Sequence, residues 1–352
     1  MWHAGLLHKL SSYGISGKLF SIIKSFLLGR QLNVIPDGQK SNTYPTSSGV
    51  PQGSILGPIL FLTYINDLPD KLICEISMYA DDTSLYSCLG KKSSSTERKK
   101  LTERIERDLS SISEWGRQWL VAFNSRKTKL LSVNRYRQTD NTPVSMDNCT
   151  LEESPKIRLL GLTISNDLSW NDYVKDIAKK AAMKVGSLYR GRQFLTPESI
   201  LHLYKSVIRP GMENCCHLWA GASANVLSLL DRIQKRVANI IGPELACKLQ
   251  PLSIRRDVAS LSLLYRYFHG HCSSELSSLV PPVRTFNRRT RLPTNSHPLT
   301  LSVPTSEKSF YARSFFPRTS TLWNSLSPSC FPSEYNLHSF KSRVNQFLSS
   351  RN

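Results

Sequence analysis

Ile76-Ser77-Met78-Tyr79-Ala80-Asp81-Asp82-Thr83-Ser84-Leu85-Tyr86 is the stretch on which the fold turns. Ile76, Met78 and Ala80 alternate with other residues before the acidic pair and Leu85 follows it, the period of half-buried strands, so the segment reads as a tight hairpin. Two carboxylates then crowd its tip. Like charges that close raise each other's cost of ionisation unless a cation offsets them. Mg²⁺ is such a cation, because it takes one or two carboxylates and completes its shell with water and phosphate oxygens. Paired metal ions held by shared carboxylates can stabilise both the attacking and the leaving oxygen of a phosphoryl transfer. Asp-Asp is equally ordinary turn chemistry, and the pair alone does not separate the readings.

Around this hairpin lie 352 residues with 46 Lys and Arg against 26 Asp and Glu, a net charge of +20. Apolar residues make up 40%, enough for a core, and the length suggests two or three domains. The eight cysteines stand singly apart from Cys215-Cys216, which fits neither a disulfide framework nor zinc-ligand doublets; free thiols in a reducing compartment are expected. Met1 to Leu10 carries His and Lys inside any would-be apolar stretch and so is no signal peptide. The longest apolar run, Pro58 to Ile65, is about half of a membrane span. These features point to a basic intracellular protein with a polyanionic partner and no membrane association.

Three textures follow one another along the chain. Residues 1–170 mix helical and strand patterns: a helix through Leu19, Ile22, Ile23, Phe26 and Leu27, short strands at 31–35 and 42–46 around Pro36-Asp37-Gly38, and an apolar helix Ile59–Leu68 after a Gly- and Pro-rich loop. Ser94 and Glu97 form a capping box that opens a helix running to Trp119, and strands are expected at 129–134 and 157–164. Residues 171–272 read as successive helices. The first carries a stripe of Val174, Ile177, Ala178, Ala181 and Val185, with Lys175, Lys179, Lys180 and Lys184 off it. Thr196-Pro197 opens the second and Pro210-Gly211 is expected to end it; Gly242-Pro243 stops the third. Residues 273–352 form a basic, Pro- and Ser-rich extension in which Phe315, Phe316, Trp323 and Phe340 suggest ordered packing. Lys91-Lys92 with Arg98-Lys99-Lys100 reads either as a nuclear address or as a solvated loop and helix start.

Motifs in a fixed order decide between the readings of the hairpin. Ser48-Gly49-Val50-Pro51-Gln52-Gly53-Ser54-Ile55-Leu56-Gly57-Pro58 precedes Tyr64-Ile65-Asn66-Asp67-Leu68-Pro69, and Tyr79-Ala80-Asp81-Asp82 follows. Phe123-Asn124 with Lys127-Thr128, Leu159-Leu160-Gly161-Leu162, Leu168-Ser169-Trp170, Ser314-Phe315-Phe316-Pro317-Arg318-Thr319 and Leu322-Trp323-Asn324 come later. Together they resemble the reverse transcriptase, an RNA-directed DNA polymerase, of non-LTR (LINE-type) retrotransposons, most closely the jockey-like elements. The resemblance implies an α+β chain: a partial right-hand palm with a mostly antiparallel sheet over residues 1–170, an all-α thumb and connection over 171–272, and a C-terminal extension over 273–352. It implies two Mg²⁺ ions at Asp81 and Asp82, Lys127 assisting departure of pyrophosphate, and Gln52, Gly53, Tyr79 and Gly161 against template, primer or incoming nucleotide. RNA template, DNA primer and deoxynucleotide triphosphates would be the partners, with no organic cofactor. The lysine-bearing helix would follow the duplex backbone.

One part of the family pattern is missing. These polymerases carry a third catalytic carboxylate on a palm strand before the Gly-Val-Pro-Gln-Gly segment, and the only acidic residue before Asp67 is Asp37, in its Pro-Asp-Gly turn. The expectation is therefore an N-terminally truncated copy, inactive by itself, with a nucleic-acid-binding remnant as the alternative. Cys215-Cys216-His217 and His271-Cys272 lack zinc-site spacing and read as core thiols.

Overall fold

The computed structural model describes residues 1–90, 93–133, 143–284, 297–304 and 309–351, and the chain divides into two units, Met1–Asp167 and Leu168–Asn352. Residues on both sides of position 272 belong to the second unit.

In the first unit the helices His3–Ser12, Gly17–Leu27, Leu56–Ile65 and Ser95–Gln118 share one apolar core of Leu6, Leu10, Ile23, Leu27, Leu60, Ile112 and Trp115. The long helix opens on the expected capping box: Glu97 N donates to Ser94 Oγ at 3.2 Å and Ser94 N to the Glu97 carboxylate at 2.7 Å. Two buried charges tie the helices together. Lys9 is 2% exposed and donates to the Tyr64 carbonyl at 2.7 Å and to the Asp67 carboxylate. Its ammonium lies 3.9 Å from the Trp119 ring centroid and 4.6 Å from that of Trp115. Burial lowers the Lys9 pKa, and Asp67 opposes that shift. Asp108, on the long helix, accepts from the amides of Ile73 and Cys74 at 3.0 and 2.7 Å, fastening the helix to the chain that enters the acidic hairpin.

The mixture of helix and strand agrees with an α+β chain. The expected continuous sheet does not form: the described strands make five two-stranded ladders, four antiparallel and one parallel. Glu75–Tyr79 pairs with Asp82–Tyr86, and no described strand lies along the outer edge of either. Tyr79 and Tyr86 stay exposed on one face of the hairpin, while Ile76, Met78 and Leu85 on the other face are half-buried against the core of the first unit. Lys129–Leu130 runs parallel to Glu152–Glu153, and Lys156–Leu159 pairs with Leu162–Ser165. The hairpin Ser145–Met146 with Cys149–Thr150 was not anticipated. Its signal was present as Asp147-Asn148, both at positive φ (49° and 61°), the conformation of a type I′ turn.

The second unit is helical over Asn171–Gly191, Ala224–Ile241, Leu252–Phe268, Phe315–Asn324 and Leu337–Ser349. Thr196 caps Pro197–Leu203 with Pro197 in the first turn, as expected. Pro210-Gly211 does not end the helical path. The chain passes through a π-helical turn, Tyr204–Ile208, into Arg209–Glu213, where Pro210 sits in the first turn and its missing N–H costs nothing. Leu252–Phe268 packs on both C-terminal helices around Leu261, Tyr265, Trp323 and Phe340, each 0–1% exposed. The Tyr265 and Phe340 rings stack at 4.1 Å, and Asn324 bridges to both the N–H and the carbonyl of Leu301. The helices Phe315–Asn324 and Leu337–Ser349 thus complete the helical core. Among the described residues, no helix is long and apolar enough to cross a membrane.

Two predictions follow from these buried groups. Lys9→Met strands Asp67 without its cation and is expected to cost about 3 kcal/mol of stability, read by urea unfolding. In the second unit His297 is 1% exposed, donates through Nε2 to the Trp323 carbonyl at 3.0 Å, and has no described partner at Nδ1. Burial holds its pKa below the usual value, so the unfolded chain takes up the proton first. This contribution to stability is present above about pH 6.5 and is lost as the pH falls through that value toward the folded-state one. The thermal midpoint should fall between pH 7 and 5, and His297→Gln should flatten the dependence.

Candidate active site

The acidic hairpin closes through a two-residue turn, Ala80-Asp81, with Tyr79 paired to Asp82 across the ladder. Ala80 sits at φ +52°, a left-handed conformation that a β-carbon makes costly. Strain at that point fixes where the two carboxylates leave the backbone. Asp81 and Asp82 are both exposed at the tip, and Tyr79 beside them is 68% exposed. The structure thus gathers Tyr79, Asp81 and Asp82 in one place.

The glycine-rich loop is built by three separate demands. Gly49 and Gly53 adopt φ of +87° and +78°. Gly57 has no room for a side chain: a β-carbon there would lie 2.9 Å from Ser54 Oγ and 3.3 Å from the Pro51 carbonyl. Ser54 Oγ donates to that carbonyl at 2.7 Å and accepts from Gly57 N at 3.1 Å, so the loop folds onto the start of the helix Leu56–Ile65. From the other side His3 Nε2 donates to the Gly49 carbonyl at 2.8 Å, and Gly49 N donates to Met1 O at 2.8 Å. Gln52 and Gly53 are left exposed at the loop's apex.

Lys127 is exposed in a turn whose amide is held by Asn124, and Gly161, at φ +83°, closes the hairpin Lys156–Leu159/Leu162–Ser165 together with Leu160 at φ +48°. No described side-chain hydrogen bond or ion pair joins Gln52 or Lys127 to Asp81 or Asp82. Lys9, Asp67 and Asp108 carry roles that no local motif announces. Their signal was faint: a lysine, 58 residues from its partner, on the apolar side of a short helix.

No set of three or more His, Cys, Asp or Glu side chains with metal-binding proximity occurs among the described residues. Asp81 and Asp82 can supply two carboxylates to one hydrated cation, but they do not make up the donor set of a two-metal centre. Asp37, at φ +46° in its exposed turn, does not supply the third. Cys216 is 4% exposed and burial pushes its thiol up to about 11, so it lies far from the thiolate form that binds metals. Lys91-Lys92 lies outside the described residues; Lys99 and Lys100 are exposed near the start of the long helix.

Residues 1–164 match the family model described as reverse transcriptase (RNA-dependent DNA polymerase), almost the whole of the first unit. This unit is a reverse-transcriptase domain. The chain is 27% identical over 252 residues to "Probable RNA-directed DNA polymerase from transposon X-element" of Drosophila melanogaster, a match covering 68% of the chain and 26% of that protein. It is 30% identical over 222 residues to "RNA-directed DNA polymerase from mobile element jockey" of the same species, covering 60% of the chain and 23% of that protein. The match to the X-element protein covers more of the chain than either unit holds, so the likeness crosses from the reverse-transcriptase domain into the helical unit. The chain spans about a quarter of the length of these curated relatives.

Relief of the Ala80 strain is directly measurable. Ala80→Gly should stabilise the domain by about 1 kcal/mol, and Gly161→Ala should destabilise it by a similar amount; urea midpoints of the two variants should move in opposite directions.

Proposed function

We propose that the chain is a portion of the RNA-directed DNA polymerase of a non-LTR mobile element, in which Asp81 and Asp82 present the metal-facing edge of the active site. The observation that carries this reading is the hairpin itself: two carboxylates at a strained two-residue turn, inside a domain of the reverse-transcriptase family. The reaction served would be attack of a primer 3′-hydroxyl on the α-phosphate of a deoxynucleotide, templated by RNA. In this chain's own terms, the Gly49–Gly57 loop leaves Gln52 as a donor and acceptor on exposed backbone, suited to a base pair, and Lys127 offers a mobile cation for a departing polyphosphate. The helices Asn171–Gly191 and Ala224–Ile241 would be thumb elements, with Lys175, Lys179, Lys180 and Lys184 exposed toward a phosphate backbone. Two Mg²⁺ ions need a further carboxylate that these residues do not provide, so these residues by themselves are inactive in this proposal and retain nucleic-acid binding. A nuclear site of action fits the proposed chemistry.

Primer extension on an RNA template, with Mg²⁺ or Mn²⁺ and with Asp81→Asn alongside, tests the proposal. The expected result is no extension by the purified, folded chain, together with salt-dependent binding of primer–template that Asp81→Asn leaves unchanged. Extension that disappears in Asp81→Asn would show a complete site and overturn the claim of inactivity. Absence of binding to primer–template would overturn the assignment to a polymerase.

A further inference from the structure

The two units carry very different charge. Residues 168–352 hold 25 Lys and Arg against 10 Asp and Glu, a net of +15, while residues 1–167 hold 21 against 16, a net of +5. Three-quarters of the chain's excess charge therefore lies outside the reverse-transcriptase domain. In the same unit a cleft of about 400 Å³ is lined by Trp170, Phe310, Phe315 and Phe316 together with the exposed Arg313.

These rings are held in place. Phe315 meets Phe316 at 5.1 Å and is edged by His217 at 5.9 Å and Tyr267 at 6.1 Å; Trp170 is edged by Tyr173 at 6.2 Å. The aromatic wall is also locked through backbone. A β-carbon on Gly221 would lie 2.0 Å from the Arg313 carbonyl oxygen, so the turn after Trp219 and the Phe310–Phe316 segment touch with no room for a side chain. A cleft lined by fixed aromatic side chains and by an exposed arginine, in a unit of net charge +15, suits a planar, electron-rich ring attached to a phosphate chain.

We propose that this cleft binds an unpaired base of single-stranded nucleic acid, stacked against Trp170 or the Phe315–Phe316 wall, with Arg313 meeting the adjoining phosphate. The site goes beyond the polymerase reading: it lies outside the matched domain and needs no catalysis. A duplex, whose bases are stacked internally, could use the unit's positive charge but not the cleft.

The test is fluorescence anisotropy of the full chain with three labelled ligands of equal length: a 12-mer of uridines, the same backbone made of abasic spacers, and a blunt duplex. The wild type is expected to bind the uridine strand about tenfold more tightly than the abasic strand at equal salt. Trp170→Leu should remove that preference and leave abasic and duplex binding unchanged, while Trp170→Phe should keep most of it. Gly221→Ala, which contacts no base, should weaken the preference by displacing the wall. Equal affinity of the wild type for uridine and abasic strands would overturn the proposal, even were every variant to fail to fold. So would an equal loss on all three ligands in a folded Trp170→Leu chain, or no loss on any. Primer extension enters neither result, so failure here leaves the polymerase assignment standing, and failure there leaves the cleft standing.

Discussion

The contact between Lys9 and Asp67 organises the reverse-transcriptase domain. An ammonium buried to 2% exposure must be neutralised and hydrogen-bonded, and here it meets a carboxylate, a helix-terminal carbonyl and the faces of tryptophan rings. Such a group adds little net stability compared with a well-packed apolar substitute, but it admits only one arrangement of the elements that supply its partners. The first helix, the end of Leu56–Ile65 and the last turn of Ser95–Gln118 are all partners. Trp115 Nε1 donates to the same Asp67 carboxylate at 3.2 Å, so the long helix is registered against both. With the first helix placed, His3 and the chain before it can reach Gly49, and the loop bearing Gln52 is set.

A second constraint runs through turns that require left-handed backbone. Gly49, Gly53 and Gly161 adopt it freely, whereas Ala80, Leu120 and Leu160 adopt it at a cost. Ala80 lies between Tyr79 and the two carboxylates proposed for metal binding. A strained turn at that position gives the tip a definite exit direction, and the Asp108 clamp on the amides of Ile73 and Cys74 anchors the other end of the strand.

The helical unit answers to a different balance. Its core is aromatic and tightly shared between Leu252–Phe268 and the C-terminal helices, while its surface carries most of the positive charge. Arg318 shows how the two meet: from within the apolar segment around Phe315 and Phe316 it donates to the His217 carbonyl and to Ser260 Oγ and pairs with Asp257 at 3.7 Å. In the Ser314–Thr319 motif Arg318, Phe315 and Phe316 all serve packing, and the two phenylalanines also line the cleft.

Much was legible in the sequence because local rules governed it. The acidic hairpin follows from alternation, the long helix from Ser94 and Glu97, the stop of Ala224–Ile241 from Gly242-Pro243, and the domain's kinship from the order of its motifs, all of which act over a few residues. What only the tertiary structure decided depends on partners far apart in the chain. Lys9 finds Asp67, Asp108 finds two amides more than thirty residues away, Gly57 and Gly221 are required by what presses against them, and the helices Phe315–Asn324 and Leu337–Ser349 join the helical core. The same distinction explains the sheet. Alternation announces that a strand will form, but whether a neighbour pairs with its edge depends on another segment being brought there, and for Glu75–Tyr79 and Asp82–Tyr86 no described strand is.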